Sequence, residues 1–277
     1  MSDTAPPVEG SETVVRRDPR PGIALLTLNR PARLNAMSYQ LVHDLHLALD
    51  EIAVDRSIRV VVLTGAGRGF CAGLDLFEGA GVPGTEGLGR PQAGLAVQKH
   101  IATLVPKLRS LPQPVIAAVN GPAAGGGFAL ALASDVRIAA ESARFNVAFV
   151  RIGLSGCDIG VSWLLPRLIG AGRAWELMLT GRVIDSAEAD RLGILSAVVP
   201  DDVLLDTALD KAEEIAGNSP FGVAMTKEVM WSQLEIPSLQ AGIDLENRTQ
   251  LLASSTEDAR EAMAAFVEKR APVFQDR

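Results

Sequence analysis

The sequence predicts an α/β body that continues into an all-helical tail. Three observations carry this. Short apolar runs recur through residues 22–200, helical periodicities fill the gaps between them, and after Pro200 the runs stop. In chain order, the opening "MSDTAPPVEGSET" is polar and bears prolines, with no apolar core behind a basic start, so residues 1–12 read as a flexible leader. "GIALLTLN" (Gly22 to Asn29) is the first buried strand. In "SYQLVHDLHLALDEIA", Leu41, Leu45, Ala48, Leu49 and Ile52 share one helical face, with Ser38 as N-cap. His43, His46 and Asp50 fall on the opposite face, which reads as solvated in preference to metal-binding. "RVVVLTG" (Arg59 to Gly65) is the next strand, and Gly79 to Gly94, rich in glycine with two prolines, reads as a long mobile loop, either a lid or a surface insertion. His100 opens a helical pattern and reads as structural. "PVIAAVNG", "DVRIAA" and "LSAVVP" complete the strands of a body spanning 13–200. Residues 201–277 read as four helices in series, too small and amphipathic to stand alone, and so expected to pack on the body or on another subunit.

Composition bounds the class without naming a reaction. Aromatics are only 4% against 48% apolar residues, so the core is built from alanine, valine, leucine and isoleucine. A net charge of −7 opposes general nucleic-acid binding, though a few local arginines can still serve an anionic small ligand. No run of 18 uninterrupted apolar residues exists, so no membrane span is expected. Cys71 and Cys157 lack CxxC spacing, which argues for a reducing compartment, the cytoplasm, and against a disulfide or zinc framework; both read as small apolar fillers.

Two segments are built alike. "VVVLTGAGRGFCAGLDL" and "VIAAVNGPAAGGGFALAL" each run from an apolar strand through a glycine turn to the start of an apolar helix. Glycine lets a ligand approach the chain closely, and a helix start presents free N–H groups. Two such starts facing one cleft would aim two donors at one oxygen, which is what stabilising an oxyanion requires. Tight helix packing also accounts for the glycine triplet. Other motifs fail: "GAGRGF" has Phe70 where a dinucleotide fingerprint needs glycine, and "GLSGC" has Cys157 where a nucleophile elbow does.

These blocks, with "LNRPARLNAMS", "LTGRVIDSAEADRLGILSAVVP" and "EAMAAFVEKR", resemble the enoyl-CoA hydratase/isomerase family, the crotonase superfamily, in order and spacing from about Gly22 to Arg270. The resemblance implies a crotonase-like ββα superhelix with a helical C-terminal trimerisation region, as a homotrimer or a hexamer made of two trimers. It implies an acyl-CoA thioester as ligand, coenzyme A being part of the substrate and no separate cofactor or metal being needed. Its carbonyl oxygen would sit between the N–H groups of Leu74 and Gly126. Arg33 and, from a neighbouring subunit, Lys269 are placed toward the CoA phosphates, and the backbone from Ala72 through Asp75 to Leu76 would line the adenine and pantetheine path. Phe77 stands where members of the family commonly carry a lysine.

The resemblance also marks what has been replaced. Hydration needs one carboxylate to activate water and another to deliver a proton. The two glutamate positions of the family's hydratases are here Ala129 and Phe149, neither able to carry a proton. One acid remains nearby: Asp158, where the family's dienoyl-CoA isomerases and aryl-CoA dehalogenases hold an essential aspartate. Asp158 also precedes a helical run, so catalysis and N-capping stand as alternatives. Glu141 reads as surface, and Glu78 lies near enough to the first glycine turn to reach the cleft if the loop folds over it.

Overall fold

The computed structural model describes residues 12–78 and 82–277, so residues 1–11 of the expected leader and 79–81 of the expected loop lie outside the described residues. β1 (Val14–Arg20) and β2 (Ile23–Leu28) form an antiparallel hairpin. α1 (Tyr39–Val54) then crosses over so that β3 (Val60–Gly65) lies parallel to β2, with Ile23 opposite Val60 and Leu28 opposite Gly65. Ser38 caps α1 as expected, accepting the Leu41 N–H at 3.2 Å. α2 (Arg90–Ala102) and α3 (Leu104–Ser110) lead to β4 (Val115–Val119). There follow β5 (Ala123–Ala124), α4 (Gly126–Ala133), β6 (Val136–Ala140) and β7 (Arg144–Asn146). Then come α5 (Val161–Ile169), α6 (Ala171–Thr180), β8 (Ile184–Asp185), α7 (Ser186–Arg191) and β9 (Ala197–Val199).

The main sheet has the order β1-β2-β3-β4-β6-β9, parallel beyond its first pair, and a small sheet has the order β5-β7-β8. A parallel sheet is stable only with both faces covered. Side chains alternate accordingly: Leu26, Val61, Leu63 and Val115 pack toward α1 and α4 on one face, while Leu25, Val60, Val62 and Ile116 point to the other.

The four expected tail helices are present as α8 (Leu204–Ala216), α9 (Pro220–Gln233), α10 (Leu239–Ser254) and α11 (Glu257–Glu268). α8 covers the second face of the sheet through Leu204, Ala208, Leu209 and Ala212, so the first tail helix belongs to the core of the body. α9 is fastened by Lys227, only 2% exposed, whose ammonium reaches Asp135 at 2.8 Å and donates to the carbonyls of Leu108 and Gln113 at 2.9 Å each.

Two expectations are corrected. β1, "VVRRDPR", carries no apolar run because it is an edge strand with its middle exposed, where arginines and Pro19 discourage further pairing. The loop expected from Gly79 to Gly94 ends at Gly89: α2 starts at Arg90, with Pro91 in its first turn, where a missing N–H costs nothing, and Gly94 lies inside the helix.

Candidate active site

The two glycine-lined segments lie against each other and are joined by their own backbones and by the Asn120 side chain. That side chain donates to the carbonyls of Gly65, Gly67 and Gly69 at 2.8, 2.9 and 3.3 Å and accepts the Gly65 N–H at 3.1 Å. The N–H groups of Phe70 and Cys71 both donate to the carbonyl of Pro122 at 3.1 Å, and the Ala124 N–H returns to the carbonyl of Cys71 at 3.0 Å. Met37 bridges to Leu74 on the outer side, its N–H meeting the Gly73 carbonyl at 2.7 Å. Glycine is required at two of these contacts. At Gly127 a Cβ would come within 2.0 Å of the Cys71 carbonyl oxygen. Gly73 has φ +88°, and a Cβ there would lie 2.8 Å from the Ala124 carbonyl oxygen and 3.4 Å from the Gly126 nitrogen. The first turn therefore abuts the start of α4. Among the described residues, neither the N–H of Leu74 nor that of Gly126 has an acceptor; the latter is one of the orphan donors of a helix start. Cys71, buried beneath, is a filler as expected, its thiol pushed up to about 12 by burial.

Around this junction the walls are apolar. The ring of Phe149 packs under Gly125, where an added Cβ would meet it at 3.2 Å, and Met37 and Ile159 lie beside Gly126. Ala129 is wholly buried one turn into α4, and Phe149 is 6% exposed. Neither Ala129 nor Phe149 offers a proton carrier.

Asp158 does. Its Oδ1 accepts the N–H of Ile159 at 2.8 Å and the side-chain amide of Gln98 from α2. Burial raises its pKa above the ordinary carboxylate value, outweighing these two bonds, which act in the opposite sense. The capping alternative is corrected: the N-cap of α5 is Gly160, no side chain caps that helix, and the Asp158 carboxylate is engaged with its own next residue. Cys157, beside it, is exposed rather than a filler.

The other expected ligand contacts are dispersed. Asp75 is 5% exposed and its side chain is committed inward, to Arg30 at 2.9 Å and to the N–H groups of Phe77 and Glu78 at 3.0 and 3.3 Å. Burial pushes its pKa up, but those bonds and the Arg30 charge prevail and hold it below the usual carboxylate value. Its place on a ligand path is thus backbone only. Arg30, not singled out from the sequence, also holds Glu78 at 2.5 Å, so the Glu78 carboxylate is engaged in an ion pair. Arg33 is exposed, its guanidinium 5.5 Å from the ring of exposed Phe77. Leu76 is 60% exposed and Ala72 half-buried, its N–H held by the Leu34 carbonyl at 3.0 Å. Lys269 ends α11 in a left-handed conformation, exposed in the tail. Glu141 is at the surface as expected.

All three histidines of the chain and its single tyrosine meet where α2 packs on α1. Tyr39 stacks on His43 and His100 at 5.6 and 5.0 Å, and His46 lies 5.1 Å from His100, so the face expected to be solvated is half-covered. Among the described residues no cluster suits a metal ion. Burial, then Lys107 and His43, hold His46 below the ordinary imidazole value against the pull of the His100 carbonyl and Asp50. Burial, then His46, His43 and Lys107, do the same for His100. A released α2 therefore binds protons more tightly than a docked one. Docking is at full strength above the free imidazole value of about 6.5 and weakens as pH falls through it. Hydrogen exchange in residues 90–102, corrected for intrinsic rates, is expected to quicken between pH 7.5 and 5.5; a pH-independent opening equilibrium would contradict this.

Comparison with known proteins shows the family and the fold. The sequence model of the enoyl-CoA hydratase/isomerase family matches residues 19–277. The chain is 47% identical over 264 residues to a probable enoyl-CoA hydratase, EchA12, of Mycobacterium tuberculosis, covering 95% of this chain and 93% of that protein. It is 42% identical over 253 residues to the 1,2-epoxyphenylacetyl-CoA isomerase of Escherichia coli, covering 91% and 95%. A crystal structure of a probable enoyl-CoA hydratase/isomerase from Mycobacterium abscessus superposes with a TM-score of 0.90 at 42% identity, covering 96% and 99%. The expected crotonase-like fold is thus present, and the chain belongs to the enoyl-CoA hydratase/isomerase family, the crotonase superfamily.

Proposed function

We propose that this protein binds an acyl-CoA thioester and rearranges it through an enolate, with Asp158 moving the proton, rather than adding water across a double bond. The observation that carries the reading is a half-buried carboxylate of raised pKa in a site whose two hydratase glutamate positions are Ala129 and Phe149. The thioester oxygen accepts the free N–H groups of Leu74 and Gly126; each donor of this kind contributes about 3–4 kcal/mol as charge develops. Ionised Asp158 removes a proton from one carbon of the acyl chain and returns it to another, so the double bond shifts and no atom is gained or lost. A raised pKa suits a group that must both take and give a proton. Similarity to an isomerase of an acyl-CoA epoxide supports a non-hydratase reaction.

Arg33 and Lys269 serve the CoA phosphates, Lys269 from a neighbouring subunit of a homotrimer or a hexamer. Exposed Leu251, Met263, Phe266 and Val267 on the tail helices support such an assembly. Among the described residues no helix is long and apolar enough to cross a membrane.

Calorimetry with a panel of acyl-CoA thioesters, paired with turnover assays, tests the reading. Binding, double-bond migration in a 3-enoyl-CoA and slow hydration of crotonyl-CoA are expected. Binding with no turnover of any thioester would make the protein an acyl-CoA carrier, and no binding at all would remove the thioester site.

A further inference from the structure

We propose that Gln98 is a positioning residue for Asp158: its amide pins one carboxylate oxygen so that the other, Oδ2, faces the reacting carbon alone. The inference rests on the reading of Asp158 as the proton carrier.

Both bonds to the carboxylate land on Oδ1, and among the described residues Oδ2 has no partner. A carboxylate held by one oxygen keeps a free lone pair on the other, in a fixed direction. The two donors come from different places. One is the N–H of Ile159, two residues before α5, held at φ +45°. A β-branched residue rarely adopts that conformation, and here it turns the chain from Asp158 into the start of α5. The other arrives across space from α2, 60 residues earlier in the chain.

Gln98 is itself exposed, so its side chain contributes nothing to the core that would explain its place. What fixes it is the seat of α2. Two residues on, His100 stacks on Tyr39, and Ile101 is the helix's one buried apolar side chain. These contacts hold α2 beside the site and bring the amide to Asp158. An amide suits the task because it donates at every pH and carries no charge that would bind a proton or fix the carboxylate in one state. Bonds to an ionised carboxylate favour the ionised form, so Gln98 opposes the upward drive of burial and keeps Asp158 able to act as a base near neutrality.

The test is Gln98→Leu, with Gln98→Met as a second variant of similar shape, in the full-length protein. Isomerisation of trans-3-hexenoyl-CoA is followed against pH, and the Asp158 carboxyl is titrated by carbon-13 NMR, its resonance assigned by its loss in Asp158→Asn. Losing one donor to a charged acceptor is expected to raise the Asp158 titration and the acid limb of kcat by about one pH unit. On the acid limb that is a fall in kcat of up to roughly tenfold, with kcat on the plateau above it changed little and KM changed less than about twofold. An unmoved Asp158 titration in both folded variants overturns the positioning role. Full turnover by Asp158→Asn overturns the acid–base reading instead, whatever the titration of the Gln98 variants, so the two failures are distinguishable.

Discussion

Asp158→Asn is expected to lower kcat for double-bond migration by about 10²–10⁴-fold, the range that a positioned acid–base group supplies. Ligand affinity and melting temperature are expected to stay close to those of the parent. Asparagine has nearly the same volume and keeps an Oδ1 that accepts from the Ile159 N–H and the Gln98 amide, so the local turn is preserved. α5 does not depend on the carboxylate, since its N-cap is Gly160 and makes no side-chain bond. What the variant loses is the capacity of Oδ2 to carry a proton. Single-turnover kinetics, calorimetry and thermal melts on one preparation separate these effects. A large drop in melting temperature with little change in kcat would assign Asp158 to local structure.

Lys227→Ala is expected to destabilise the fold by about 3–5 kcal/mol, the cost of leaving one partner of a buried ion pair alone. For a chain of this size that lowers Tm by on the order of 10 °C. The pair is closed on every side. Asp135 accepts the Val115 N–H at 2.7 Å and the Trp231 indole N–H at 2.7 Å, besides the ammonium of Lys227. Burial lowers the Lys227 pKa, and the adjacent Asp135 opposes that fall. Removing Lys227 strands a buried carboxylate and frees two carbonyls, those of Leu108 and Gln113. The double variant Lys227→Met with Asp135→Leu removes both charges, and its Tm is expected to recover part of the loss; equal Tm values for parent and Lys227→Ala would contradict the argument.

The sequence and the structure agree where composition and burial coincide. β2, β3, β4 and β6 are readable because strands covered on both faces are mostly apolar along their length, and β9, at the other edge, because it is short and wholly apolar. The glycine-lined turns are readable because close approach excludes every other residue. β1 is not, since half of an edge strand faces solvent, and β5, β7 and β8 span only two or three residues, too few to show a period. The site divides in the same way. Asp158 stands out as an acid near "LLPRLIG", but nothing local marks Gln98, an exposed amide on a polar helix whose partner is 60 residues away. Arg30 and Arg33 are equivalent in "NRPARLNA" until the fold gives Arg30 to Asp75 and Glu78 and leaves Arg33 over Phe77. Lys227 reads as an ordinary helical lysine. The histidines on α1 and His100 on α2 meet only in three dimensions.

The braced turns have one further consequence. Their cross-links run through peptide groups, from Phe70 and Cys71 to Pro122 and from Ala124 to Cys71, and through one side chain, the amide of Asn120. Replacing Ala129, Phe149 or Asp158, whose side chains make none of these links, therefore leaves the two turns braced. A lineage built on such a frame can exchange one proton donor for another, or discard both, and arrive at a new transformation without first losing its grip on the old substrate class. Under the proposed function, Ala129, Phe149 and Asp158 are such replaceable groups set around a fixed scaffold of amides.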